Sequence, residues 1–158
     1  EMCIRDRSNP LQATKFGLPF RHVPTYLAGY YKYKAGDQFT EGGKPVEGKH
    51  DICDIYAIMY ETSVSVPTLD GTNAFTSPNL VSMARIKDAK ETDEWTYFKL
   101  PFTTLPGKFI DKEKLTMGKY NISIVFTSSL EGDHFNGAIG STLLIDEAEL
   151  IYRSNLDH

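Results

Sequence analysis

Six acidic residues could do carboxylate chemistry: Asp51, Asp54, Glu61, Asp133, Asp146 and Glu147. Two carboxyl groups held roughly 5–9.5 Å apart across a cleft can cleave a glycosidic bond. The sequence alone brings no two of them together. The aromatic pattern is stronger, with nine Tyr, nine Phe and one Trp. A sugar ring offers apolar C–H faces edged by hydroxyls. Proteins meet it with flat rings and a few planar polar side chains. In residues 51–61 (DICDIYAIMYE), Asp54, Tyr56 and Tyr60 share one parity. Tyr30, Tyr31 and Tyr33 crowd an earlier segment, Trp95 and Tyr97 share a parity in a later one, and Asn121 and Ser123 add polar groups in another. Arg85, centred in an apolar run, is a ready partner for Asp54. These positions predict a sugar-binding sheet face of Asp54, Tyr56, Tyr60 and Arg85, edged by Asp133 and His134 from a long loop. Taken singly, each Tyr fits core packing better, because Tyr is a good strand former, whereas the set as a whole fits a sugar-binding face and core packing equally well. Trp95, following an acidic turn, is expected to anchor the core.

Other motifs carry less. Residues 43–49 (GKPVEGK) spell G-x-x-x-x-G-K, but His50 stands where a phosphate loop needs Ser or Thr, and a strand pattern follows instead of a helix. His22, His50, His134 and His158 are far apart and lack metal-ligand spacing. No G-x-S-x-G elbow occurs. Asp146-Glu147 could offer oxygens to calcium, which needs six to eight of them. No cofactor is otherwise implied.

The elements that must position these residues have period two. Strands are predicted over 26–34, 51–61, 80–86, 94–102, 120–127 and 142–152. In the last, Leu143 and Ile145 share a parity that Ala148 and Leu150 do not. One extra residue produces such a switch, which places a β-bulge at Asp146-Glu147. Only 110–117 (IDKEKLTM) reads as helix, for a turn or two. Short strands with turn-rich connections give an all-β sandwich. Long loops at 36–49, 62–79 and 128–140 favour a jelly roll of mainly antiparallel strands over a meander.

Residues 1–7 (EMCIRDR) match the translation of GAG ATG TGT ATA AGA GAC AG, the adapter of transposase-based sequencing libraries, and are set aside as foreign. Residues 8–158 then form one domain, expected to lack its N-terminal strands. Removing the adapter takes two charges of each sign and leaves the net charge at −4. A mildly acidic chain with no basic run argues against a nucleic-acid partner. No apolar stretch approaches the roughly 20 residues of a membrane span. Cys53 remains the sole cysteine of that domain, so no internal disulfide framework is available.

Several stretches in order carry a family resemblance. They are Pro19-Phe20 with 24–27 (PTYL), 29–34 (GYYKYK), 53–57 (CDIYA), 94–96 (EWT), 124–129 (IVFTSS) and Gly132-Asp133 through Gly137-Ala138. With them the chain resembles the putative carbohydrate metabolism domain, found in surface proteins of glycan-foraging gut bacteria. The closing 140–147 (GSTLLIDE) is similar to the last strand of galactose-binding-like carbohydrate modules. The resemblance implies a carbohydrate-binding jelly roll near the C-terminal end of an exported protein, outside the cell or on its outer surface. The partner implied is an oligosaccharide or polysaccharide, held without catalysis. Two alternatives stay open: a glycoside hydrolase using a carboxylate pair, and a structural or adhesion domain with no small ligand. The oligomeric state is not indicated.

Overall fold

The structure is a computed structural model that describes residues 15–16, 18–63, 65, 69–70, 75–130 and 136–153. The segment 1–7 lies outside these, as do Asp133 and His134. The strands are β1 (Lys15–Phe16), β2 (Leu18–Pro19), β3 (Val23–Lys34), β4 (Phe39–Glu41), β5 (Lys44–Pro45), β6 (Asp54–Glu61), β7 (Leu69–Asp70), β8 (Leu80–Arg85), β9 (Thr92–Pro101), β10 (Thr103–Thr104), β11 (Tyr120–Thr127), β12 (Gly137–Ala138) and β13 (Thr142–Arg153). Among the described residues one helix, α1 (Lys112–Thr116), precedes β11. Asp111 caps it by accepting from the Lys114 amide at 3.0 Å. The phosphate-loop lookalike is part of the β4–β5 hairpin, and no helix follows it.

Two antiparallel sheets face each other. One has the order β10-β8-β6-β11-β2 and the other β13-β3-β9. Neighbours in each are non-consecutive in sequence, the crossing connectivity expected of a jelly roll. A two-stranded sheet β1-β7 and a three-stranded sheet β12-β4-β5 complete the described strand set. Alternation decides what lies between the sheets. Leu27, Tyr31 and Tyr33 of β3, with Phe98 and Leu100 of β9, meet Ile55 and Ala57 of β6 and Ala84 of β8. Gly29 is required in this layer, because a Cβ there would meet the Phe98 ring at 2.9 Å and the Ala148 backbone at 3.1 Å. The bulge falls where the parity switch puts it. The β13–β3 register shifts between Asp146 and Glu149, and Glu147 has φ 50°. Along β11, Ile124 and Phe126 keep the inward parity but remain 40% and 36% exposed, so the inner layer is open on that side.

Cys53 and Tyr33 belong to this layer, both buried. Burial pushes the Cys53 thiol up to about 11 and the Tyr33 phenol up to about 12, from ordinary values of 9.0 and 10.0. Both acids hold their proton more tightly folded than unfolded. Their contribution is therefore complete below about pH 9 and is lost as pH rises through the folded values. The melting temperature should fall between about pH 9 and 12. In Cys53→Ala the part of the slope between about pH 9 and 11 should flatten. An unchanged slope would show that the thiol is not the titrating group.

Candidate functional site

The outer face of the β13-β3-β9 sheet is built by register. Tyr30 of β3 lies opposite Tyr97 of β9 on one side and Asp146 of β13 on the other. Directly opposed residues share a face, so these three form a row across the sheet. The Tyr30 and Tyr97 rings sit 5.3 Å apart, centroid to centroid, tilted by 54°. Trp95 continues the face along β9, and the Lys32 ammonium lies 4.8 Å over its ring. On the other side of the row, Lys99 reaches over Tyr26 at 4.4 Å. Exposure is 36% for Tyr30, 44% for Trp95 and 53% for Tyr97. Leu144 is also exposed, and Ala28 between Tyr26 and Tyr30 is fully covered. This is a broad aromatic surface held on strands, edged by ammonium and carboxylate groups. Such a surface can stack on the C–H face of a sugar and hydrogen-bond its hydroxyls.

The residues predicted from sequence sit elsewhere, on the outer face of the β10-β8-β6-β11-β2 sheet. Tyr60 has no exposed surface and Tyr56 only 6%. Both pack with Ile58, Leu69 and Leu80. Phe75, from the 62–79 connection, brings its ring to 4.7 Å from that of Tyr56. Leu69 and Phe75 cover this face, which corrects the expectation that these tyrosines point outward. Asn121 Nδ2 donates to Tyr60 Oη at 3.2 Å, a bond within the buried packing. The Asp54–Arg85 pairing is as expected and bidentate: Nε donates to Oδ1 at 3.1 Å and Nη2 to Oδ2 at 2.7 Å. Asp54 is buried, whereas the Arg85 side chain is 36% exposed and lies 4.3 Å over the Phe75 ring. Of the four, only Arg85 offers much surface to solvent.

The other carboxylates separate. Asp51 is buried and holds two chain segments together. Its Oδ2 accepts from Ser129 Oγ and Ser141 Oγ, both at 2.5 Å, and from the Ala138 amide at 3.0 Å. Glu61 accepts from Lys114 Nζ at 2.8 Å. Asp146 and Glu147 are exposed at the bulge, where Asp146 Oδ1 accepts from the Glu147 amide. Among the described residues, no three His, Cys, Asp or Glu side chains gather as metal ligands, and no helix is long and apolar enough to cross a membrane.

Trp95 is not the core anchor its position predicts, since nearly half of it faces solvent. The signal was present, because charged Asp93 and Lys99 share its parity and mark that side of β9 as the wet one. The same signal would have found Tyr97.

Residues 3–151 match the model of the putative carbohydrate metabolism domain. The chain belongs to this family. A crystal structure of a putative glycoside hydrolase from Bacteroides thetaiotaomicron VPI-5482 is 90% identical, with a TM-score of 0.92 over 93% of this chain. A putative glycoside hydrolase from Bacteroides vulgatus ATCC 8482 is 46% identical, with a TM-score of 0.87 over 94% of it. The chain spans 43% and 61% of the lengths of those two proteins. No curated protein matches it. Family membership gives this domain of the putative carbohydrate metabolism type a carbohydrate-related role, on an all-β sandwich.

Proposed function

We propose that this domain is a non-catalytic glycan-binding module of an exported protein, acting outside the cell or on its outer surface. The observation that carries the reading is the exposed row of Tyr30 and Tyr97, extended by Trp95, on a sheet face edged by Asp146 and Lys32. Rings left in water on a strand surface contribute little to folding and are well placed to stack on a ligand. Carboxylate and ammonium groups at the edge then fix hydroxyl orientation. The ligand class is a neutral oligosaccharide or polysaccharide, because Lys32 and Lys99 are balanced by Asp146 and Glu149 on the same sheet. The Arg85–Phe75 edge is a second contact surface that a long glycan could reach.

The test is a glycan array on the domain, followed by affinity measurement on the best ligand. Tyr97→Ala should weaken binding at least tenfold and leave the melting temperature within about 2 °C, since a surface change costs about 0.5 kcal/mol or less. Undiminished binding in both Tyr97→Ala and Trp95→Ala would reject this face. Hydrolysis is the second reading, favoured by the description of both structural relatives as putative glycoside hydrolases. It requires two carboxylates across one cleft, and release of reducing sugar by the longer protein would favour it.

A further inference from the structure

At the end of the larger sheet, where β6 stops, a polar hollow of about 370 Å³ opens between the start of β8, the start of β11 and α1. Glu61, Lys114, Asn79 and Lys108 line it, with the buried Tyr120. A second, more open hollow of about 790 Å³ is lined by the same Glu61–Lys114 pair and by Met117. Both volumes fall in the roughly 300–1,000 Å³ range of small-molecule sites.

The ion pair between them has chemistry to spare. Lys114 Nζ donates to Glu61 Oε1 at 2.8 Å, and the side chains stay 47% and 37% exposed. An ammonium carries three donors and a carboxylate about four acceptor positions. The pair therefore presents donor and acceptor sites side by side, which suits the adjacent hydroxyls of a sugar ring. The capping bond from Asp111 fixes the base of the helix that carries Lys114. Apolar surface flanks the pair on both sides, with Phe109 73% exposed at the first hollow and Met117 65% exposed at the second. Lys108 and Lys114 balance Glu61 and Asp111 around the first hollow, so the surroundings favour an uncharged ligand.

We infer that these hollows form a second saccharide site, taking two consecutive units of a neutral glycan with the Glu61–Lys114 pair between them. It uses β6, β8, β11 and α1, whereas the aromatic face uses β3, β9 and β13, so neither site depends on the other. They share only the ligand class.

The experiment is amide NMR of the domain titrated with cellobiose, mannobiose, xylobiose and galactobiose at millimolar concentration. At least one should give saturable shifts at Gly107, Phe109, the Asn79 side-chain amide and Gly118. In Lys114→Met and Phe109→Ala that affinity should fall at least tenfold, with the spectra otherwise native because both side chains are exposed. Tyr97→Ala should leave it unchanged. No saturable shift at these groups with any of the four sugars, or affinity that survives both variants, would overturn the inference. Shifts confined to Tyr30, Trp95 and Tyr97 would also overturn it while supporting the aromatic face. Shifts confined to the hollows would support it and count against that face.

Discussion

Tyr60→Ala should destabilise the domain by about 3–5 kcal/mol, the range for removing a buried aromatic ring. Tyr60 is fully enclosed on β6, between Ile58, Leu69 and Leu80, and its hydroxyl is bonded by Asn121. A single domain has only about 5–15 kcal/mol in hand, so the variant should sit at the margin of folding. Tyr60→Phe keeps the ring, loses one hydrogen bond and strands the Asn121 amide, at a cost of about 1–3 kcal/mol. Urea denaturation followed by circular dichroism measures both. A Tyr60→Phe protein of native stability that no longer binds glycan would return this residue to the ligand surface. The same measurement on Tyr56→Ala should also show lost stability before any effect on binding.

Arg85→Met should cost about 3–5 kcal/mol, nearer the lower figure because Arg85 is partly exposed. The substitution leaves the Asp54 carboxylate buried with its bidentate partner gone, and that uncompensated charge is the source of the penalty. Arg85→Met combined with Asp54→Leu removes both charges and should recover most of the loss. Urea midpoints of the two singles and the double give the coupling energy directly. A single-variant loss of under about 1 kcal/mol would mean that the pair behaves like an ordinary surface contact.

The strand pattern was legible because alternation leaves a local record. The register of β11 follows the predicted 120–127 segment residue for residue, and the parity switch in β13 located the bulge before any pairing was known. The short helix lies inside the predicted 110–117 segment. The burial of Tyr56 and Tyr60 departs from the expected open face for a physical reason. In β6, Ile58 sits with Tyr56 and Tyr60 on one side while Ile55, Ala57 and Met59 fill the other. A strand apolar on both parities is covered on both faces, and the 62–79 connection supplies the second cover through Leu69 and Phe75. Which loop folds back over which sheet leaves no periodic trace in sequence. Asp51 is similar, since its donors Ser129, Ala138 and Ser141 come from about 80–90 residues away.

The double cover of β6 separates two duties that many small domains must share. The rings of Tyr56 and Tyr60 are enclosed at β6, and those of Tyr30, Trp95 and Tyr97 face solvent on the opposite sheet. Substitutions among exposed side chains usually change stability by no more than about 0.5 kcal/mol. The outer face of β3 and β9 can therefore exchange one set of rings for another with the scaffold undisturbed. A domain built this way can acquire a new ligand preference in single steps, each intermediate remaining folded.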